Sequence, residues 1–170
     1  MVIHHHKQKH QIVKCMILTV SDTRTMGTDK SGQLIEQYLT DHDHRVIARE
    51  IVQDEQLEIK KVVQAGCTNE EIDAIILTGG TGIAYRDVTI ETITAFFDKE
   101  IPGFGEIFRM LSYQEDIGSA AMMSRAVAGV SNHTAIFSLP GSSGAVRLAM
   151  EKLILPELAH VVNEVKKDLK

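Results

Sequence analysis

The part of the chain that most constrains its fold is an apolar run that ends abruptly in glycines. Residues 72–77 are almost all apolar, and half of them are β-branched, which predicts a strand buried on both faces of a sheet. The small residues that follow are Thr78, Gly79, Gly80, Thr81 and Gly82. Because glycine has no side chain, backbone N–H groups in such a turn can approach an anion closely. A helical pattern resumes at Thr89, so we expect an anion site between this strand and the next helix.

The chain repeats this arrangement near its end. Residues 134–139 form another strand pattern, and a helical pattern begins shortly after it. The connecting residues are Pro140, Gly141, Ser142, Ser143 and Gly144. The two serines could cap the helix, and their hydroxyl and N–H groups would equally suit an anion. Two strand–glycine–helix turns predict a phosphorylated ligand at the ends of a sheet.

Strand and helix patterns alternate along the chain. Strands are predicted over residues 15–20, 46–52, 72–77, 127–130 and 134–139. Helices are predicted from residue 29 to about 41, after Asp54, over residues 89–97 and 100–111, after Gly144, and from Pro156 onward. Such alternation predicts an α/β fold with a mostly parallel sheet covered on both sides. Ligands of such sheets bind beyond the carboxyl ends of the strands, where Ser21 and Asp22 also follow a strand.

A length of 170 residues fits one domain with a sizeable core. We expect residues 1–11 to be a flexible N-terminal tail and residues 12–170 to be a single domain. The tail carries His4, His5, His6 and His10. No carboxylate or cysteine accompanies these histidines, which favours a frayed terminus over a metal site.

Composition argues against several classes of protein. A formal charge of -5, no tryptophan and only three Tyr and five Phe do not suit a nucleic-acid binder. No apolar run approaches the roughly 18 residues that a membrane helix needs. The two cysteines, Cys15 and Cys67, are typical of a reduced protein, so we expect a cytoplasmic location.

The glycine turns do not match the common phosphate-binding signatures. A Walker A loop needs a lysine after its glycines, and neither turn has one. The dinucleotide fingerprint could begin at Gly80, but Tyr85 occupies the position of its final glycine. Neither a paired Cys/His set for zinc nor a nucleophile elbow occurs in the sequence. We therefore expect an anion site that uses another arrangement of backbone donors.

Two carboxylates beside predicted helices have two possible roles. Asp54 and Asp87 each stand just before a helix, where aspartate is a favoured N-cap. Each could instead bind Mg²⁺, which typically takes one or two carboxylates together with phosphate oxygens and waters. The residue types alone leave both roles open. Arg86, Arg125 and Arg147 are candidate phosphate contacts, because a guanidinium group matches phosphate oxygens, although Arg147 lies within a helix, where a solvated face is favoured.

Five motifs occur in order after residue 12. They are TVSDTR at 19–24, LTGGTG at 77–82 with RDVT at 86–89, IPGFGE at 101–106, MSRA at 123–126 and LPGSSGA at 139–145. Together they resemble the MoaB/Mog family of molybdenum cofactor biosynthesis. The resemblance implies a three-layer α/β/α sandwich and a homo-oligomer, either a trimer or, as we favour, a hexamer. One apolar group is either core or oligomer contact: Ile107, Phe108, Met110, Leu111, Met122 and Met123.

The resemblance also implies a ligand and a reaction. The ligand is molybdopterin, a pterin dithiolene with a phosphate, and active members transfer AMP from ATP to that phosphate with Mg²⁺, releasing pyrophosphate. Asp54 and Asp87 would be the catalytic and metal-binding residues. The pterin and the nucleotide would be bound by Ser21, Asp22, Thr78, Gly79, Gly80, Thr81, Gly82, Arg86, Pro140, Gly141, Ser142, Ser143 and Gly144.

Two alternatives to a molybdopterin adenylyltransferase stay open. The first is a non-catalytic molybdopterin-binding protein of the same pathway, which holds the pterin without turnover. The second is an unrelated α/β nucleotide-binding protein. For the adenylyltransferase and for the non-catalytic pterin-binding protein, other cofactor-biosynthesis proteins are expected partners. Neither nucleic acid nor a membrane is an expected partner.

Overall fold

The chain forms a six-stranded sheet with helices packed on both faces. The computed structural model describes residues 11–169, so the histidines of the predicted tail lie outside the described residues. The strands are β1 Lys14–Val20, β2 Arg45–Val52, β3 Ala74–Thr78, β4 Lys99–Glu100, β5 Val127–Ser131 and β6 Thr134–Leu139. Their order in the sheet is β2-β1-β3-β6-β5-β4. Strands β2, β1, β3 and β6 are parallel, and β5 and β4 continue the sheet in antiparallel pairing.

Six α-helices cover the sheet. They are α1 Lys30–Asp41, α2 Gln56–Thr68, α3 Thr89–Thr94, α4 Pro102–Glu115, α5 Ser143–Ala149 and α6 Leu155–Lys166. Helices α1, α4, α5 and α6 pack on one face, and α2 and α3 on the other. Because successive strand residues point to opposite faces, Cys15 and Ile17 join the first core, and Met16 and Leu18 join the second. The predicted three-layer α/β/α sandwich is therefore confirmed.

The structure differs from the predicted elements in two places. Strand β4, Lys99–Glu100, was not predicted, because both of its residues are exposed and it lacks an apolar pattern. Pro156 lies in the first turn of α6, as predicted, but no break separates this helix from α5. A π-helical turn, Met150–Ile154, joins α5 to α6, and the residues flanking this turn keep right-handed helical backbone angles. Because proline has no N–H group, Pro156 cannot donate the usual helical hydrogen bond, and the π-helical turn before it accommodates this missing donor.

The apolar group around α4 divides between core and surface. Phe108 is fully buried, and Leu111 packs partly against the same core. Met122 is 83% exposed, and Ile107, Met110 and Met123 are also exposed. These four side chains form an apolar surface on α4 and on the 3₁₀ helix that follows it, Gly118–Met123. Within residues 11–169, no helix combines the length and the apolar character needed to cross a membrane.

Candidate functional site

The predicted site residues meet at one edge of the sheet. Since β1, β2, β3 and β6 are parallel, the segments that follow them emerge side by side. The Ser21 N–H group after β1 donates to the Val52 carbonyl at the end of β2, at 2.8 Å. The Gly79 N–H group after β3 donates to the Leu139 carbonyl at the end of β6, at 3.1 Å. These hydrogen bonds extend the ladder and bring all four connecting segments together.

The two glycine turns touch each other. Gly79 has a φ angle of 95° and Gly80 has one of 64°, backbone conformations that residues with a side chain rarely adopt. A Cβ added at Gly141 would lie 3.3 Å from the Gly79 Cα. The Thr78 hydroxyl donates to the Pro140 carbonyl at 3.2 Å and fixes one turn against the other. Both predicted anion-binding turns thus form one continuous backbone surface.

Replacing Gly79 with alanine tests this close packing. Its Cβ would lie 2.2 Å from the Val20 carbonyl oxygen, in addition to the cost of the positive φ. We expect Gly79→Ala to lower the free energy of unfolding by at least about 2 kcal/mol, measured by urea denaturation. Gly27→Ala is the control, because nothing lies within 4 Å of the added Cβ, and it should change stability by less than about 0.5 kcal/mol. Equal stabilities of the two variants would contradict the packing described.

Helix α1 is anchored to the same edge by a buried carboxylate. Asp29 is 1% exposed, caps α1, and accepts hydrogen bonds from the Thr19 hydroxyl at 2.8 Å and from Arg49 Nη2 at 3.1 Å. Two residues later, the Ser31 hydroxyl donates to the Gly141 carbonyl at 2.7 Å. Sequence reasoning did not include Thr19, Asp29 or Ser31 in the site. One sequence signal could have identified Asp29: an aspartate directly before a predicted helix, after the turn that follows β1, is a favoured N-cap.

Neither candidate carboxylate caps a helix. The N-cap of α2 is Glu55 and that of α3 is Val88, and neither makes a side-chain cap bond. Asp87 instead closes its own turn, because the Ala84 N–H group donates to Asp87 Oδ2 at 2.8 Å. Within residues 11–169, the Asp54 carboxylate accepts no hydrogen bond from a side chain, and a backbone hydrogen bond from Asp22 offsets part of the rise in its pKa. Neither aspartate is therefore a helix cap, and the ligand-binding role of each stays a prediction.

Asp54 and Asp87 lie at the first glycine turn. A Cβ at Gly80 would lie 2.9 Å from Asp54 Oδ1, and a Cβ at Gly82 would lie 2.5 Å from Asp87 Oδ2. The Thr89 hydroxyl also lies beside Gly80 and is buried without a hydrogen-bond partner among the described residues. The sequence marked Thr89 only as the start of a helical pattern, so its place beside the carboxylates is new information from the structure.

The surroundings of Asp54 and Asp22 shift the pKa values of these two neighbouring carboxyls in opposite directions. Burial raises the pKa of Asp54, and the negative charges of Asp22 and Asp87 raise it further. The Asp54 N–H group donates to Asp22 Oδ1 at 3.1 Å, and this bond, together with the Arg86 guanidinium, holds the pKa of Asp22 below its usual value. Arg86 also contacts Glu55 at 3.3 Å. For Asp54, burial and the two negative charges outweigh the opposing backbone hydrogen bond from Asp22 and the positive charge of Arg86, so its pKa stays raised.

Two cavities adjoin the glycine turns. The larger, of about 1130 Å³, lies between the start of α2 and the loop before α3, and Asp54, Arg86 and Asp87 line it. The smaller, of about 270 Å³, is lined by glycine and hydroxyl residues together with the two charged residues Arg24 and Asp29: Thr19, Val20, Ser21, Thr23, Arg24, Asp29, Ser31, Thr78, Gly79 and Gly141. Every predicted binding segment thus contributes to the same edge of the sheet.

The last predicted binding residues begin α5. The Ser142 hydroxyl accepts a hydrogen bond from the Ala145 N–H group at 3.2 Å, so Ser142 is a helix cap. Ser143 and Gly144 are exposed beside it. Arg125, a candidate phosphate contact, instead hydrogen-bonds to backbone carbonyls of the loop before α3.

The donor set fits magnesium better than zinc or a fully protein-held ion. Within the described part of the chain, no three His, Cys, Asp or Glu side chains are grouped to hold a metal. Mg²⁺ commonly takes only one or two carboxylates and completes its shell with substrate phosphates and waters. The Asp54 carboxylate, whose pKa is raised, and the nearby Asp87 suit that pattern.

A parallel α/β sheet with paired glycine turns and carboxylates at its carboxyl edge defines a small-molecule-binding α/β protein. Residues 16–160 match a family model described as "Probable molybdopterin binding domain". The chain is 63% identical to molybdenum cofactor biosynthesis protein B of Bacillus subtilis, over 99% of each protein. It therefore belongs to the molybdopterin-binding-domain family, in the MoaB/Mog group of molybdenum cofactor biosynthesis proteins.

Solved structures are similar over nearly the whole chain. A crystal structure of a molybdenum cofactor biosynthesis protein B has a TM-score of 0.92 at 55% identity and covers 94% of this chain and 99% of its own. The tungsten cofactor synthesizing protein MoaB from Pyrococcus furiosus has a TM-score of 0.82 at 37% identity, with coverage of 91% and 98%. The predicted family is thereby confirmed.

Proposed function

We propose that this protein binds molybdopterin and adenylylates its phosphate, using ATP with Mg²⁺ and releasing pyrophosphate. The observation that carries the proposal is a pair of carboxylates at the Gly80–Gly82 turn: Asp87, and Asp54, whose pKa is raised by burial and by neighbouring negative charges. The larger cavity beside them provides room for a nucleotide-sized ligand. Membership in the molybdopterin-binding-domain family supports the pterin as the other substrate.

The reaction requires alignment more than covalent catalysis. An oxygen of the molybdopterin phosphate bonds to the α-phosphorus of ATP, and the bond from that phosphorus to the bridging oxygen breaks as pyrophosphate leaves. The protein must hold two anionic groups in line and limit their repulsion. The touching turns at Gly79 and Gly141 would let backbone donors approach the phosphates closely. Asp54 and Asp87 would hold Mg²⁺, which offsets the phosphate charge.

Ser21, Asp22 and Arg86 would border the phosphates. Asp22 accepts two hydrogen bonds from the Arg86 guanidinium, at 3.1 and 2.9 Å. Arg86 is 58% exposed in its side chain, so it remains open to solvent and to a ligand. Thr81 and the segment from Pro140 to Gly144 complete the proposed binding surface, with Ser142 held in place as the cap of α5.

The decisive experiment is an assay of pyrophosphate release. Titration calorimetry with ATP and Mg²⁺ is followed by addition of molybdopterin, with an EDTA-treated sample as control. We expect release above background that depends on Mg²⁺. Binding of both ligands without release would replace this proposal with the non-catalytic pterin-binding protein. Binding of ATP with no affinity for molybdopterin would instead indicate an unrelated nucleotide-binding function.

We also expect the protein to form a homo-oligomer, a trimer or a hexamer with the hexamer favoured. The exposure of Ile107, Met110, Met122 and Met123 on α4 and the following 3₁₀ helix supports this expectation, since exposed apolar side chains are often buried between subunits. Multi-angle light scattering should give the mass of at least three chains. A monomeric mass at working concentration would contradict the expectation.

A cytoplasmic location and contact with other cofactor-biosynthesis proteins stay predictions. Cys15 and Cys67 are both buried and free, which agrees with a reducing compartment. Copurification of the protein with other enzymes of the pathway from cell extract would test the partner prediction.

A further inference from the structure

The guanidinium group of Arg125 is engaged mainly by the backbone of one loop. Its Nε–H donates to the Thr81 carbonyl at 3.0 Å. Its Nη2 donates to the Gly82 carbonyl at 2.5 Å and to the Asp87 carbonyl at 3.3 Å. These acceptors stand at the beginning and at the end of the loop that carries Arg86 and Asp87. One side chain therefore fixes both ends of this loop.

A carboxylate holds the same guanidinium group from the other side. Glu91, in α3, pairs with Arg125 Nη1 and accepts a second bond from Nη2 at 3.4 Å. The hydrogen bond from Arg125 lowers the pKa of Glu91. A guanidinium has five N–H donors in a fixed fork, and three carbonyls and a carboxylate engage most of them. Arg125 is thus poorly placed to bind a phosphate as well.

The segment that carries Arg125 is itself held. Arg109 Nη1 lies 3.4 Å from the Ser124 carbonyl and 3.3 Å from the Ala126 carbonyl, on either side of Arg125 in the chain. Because the backbone on both sides of Arg125 is held by Arg109, the Arg125 guanidinium starts from a fixed position in the fold. Through Arg125, the loop before α3 is therefore held in place by the segment that leads into β5.

Capture of the carbonyls also orients the loop peptides. In a trans peptide the C=O and N–H bonds point in opposite directions. The N–H groups of Gly82, Ile83 and Val88 therefore face away from the guanidinium, and none of them has a hydrogen-bond partner in residues 11–169. Removing Arg125 would free the carbonyls and allow these peptides to rotate.

We propose that Arg125 is a positioning residue, which acts through the carbonyls of Thr81, Gly82 and Asp87 and fixes the loop that presents the Asp87 carboxylate. The proposal rests on the proposed function for its effect on turnover, but its structural part stands apart from any reaction. It replaces the interpretation of Arg125 as a phosphate contact.

The test compares Arg125→Lys and Arg125→Gln with the wild-type protein. Lysine keeps the charge but cannot span three carbonyls, and glutamine keeps one donor group without charge. Arg45→Lys is the control, because Arg45 is exposed at the opposite end of β2. Hydrogen exchange should become about tenfold faster for the amides of Ala84, Asp87 and Thr89, whose hydrogen bonds close the loop, in both Arg125 variants, and not in the control.

Kinetics then separate positioning from binding. We expect kcat for pyrophosphate release to fall about tenfold or more, with a change in the KM for ATP of less than about threefold. Unchanged amide exchange in the loop would overturn the proposal, as would a loss confined to a higher KM for ATP. If the wild-type protein releases no pyrophosphate, the proposed function fails, and the exchange rates alone decide the role of Arg125.

Discussion

Asp87→Asn is expected to reduce pyrophosphate release at least about 100-fold while the protein stays folded. The asparagine side chain retains an oxygen that can accept the Ala84 N–H bond now made by Asp87 Oδ2, so the turn can persist. What it loses is the negative charge that we assign to holding Mg²⁺. Steady-state release measured across a range of Mg²⁺ concentrations, together with urea unfolding, checks both halves of this result.

Asp98→Asn is the matched control for that variant. Asp98 Oδ2 also accepts a backbone N–H bond, from Asn132 at 2.8 Å, but lies outside the proposed site. Its replacement removes the same charge and keeps the same kind of acceptor, so turnover should change by less than about twofold. Turnover of Asp87→Asn at the native rate would rule out the metal role of Asp87.

Asp54→Asn is expected to lose activity to a similar extent, about 100-fold, yet to be more stable than the wild-type protein at neutral pH. Burial and two neighbouring negative charges raise the pKa of Asp54 above its ordinary value of 3.8. Ionised Asp54 therefore costs folding free energy, which the uncharged asparagine does not. If the negative charge of Asp54 serves to bind a cation, the protein without that cation should become more stable when the charge is removed.

The pH dependence gives this expectation a sign. Because the folded-state pKa of Asp54 is raised, its protonated form favours folding at low pH, and that advantage is lost as pH rises through the folded-state pKa. The stability of Asp54→Asn relative to wild type should thus increase with pH from about 3.8 upward and then level off. Urea unfolding at a series of pH values measures it.

Asp22→Asn should show the opposite sign. The pKa of Asp22 is lowered, so its ionised form supports the fold above its ordinary pKa, and that support disappears as pH falls through the lowered value. The effect should be small, because Asp22 and Arg86 are exposed and screened by solvent. The same sign for Asp22→Asn and Asp54→Asn would contradict the charge arrangement described for the site.

Much of the fold and the place of the site followed from local patterns. The uninterrupted apolar residues of β3 predict burial on both faces, and Thr78–Leu139 pairing indeed places this strand in the middle of the sheet. The glycines after β3 predicted close approach to the backbone, and an added Cβ at Gly79 or Gly80 would lie 2.2 Å from its nearest neighbour. The two-residue strand β4 and the π-helical turn between α5 and α6 escaped prediction, because sheet pairing overrides the local pattern at β4 and the chain between the two helices stays helical.

The sequence by itself determined the order of elements, the mostly parallel sheet and the edge where its glycine turns meet, because apolar periodicity and glycine conformation act over a few residues. Only the tertiary structure decided which polar side chains are already satisfied. Arg125 reaches Thr81 across 44 positions in the chain, and Asp22 reaches Arg86 across 64. A residue type states what a side chain can bind, whereas its role depends on donors and acceptors brought near it by folding. For that reason the raised pKa of Asp54 and the hydrogen bonds of Arg125 to the loop carbonyls became visible only in three dimensions.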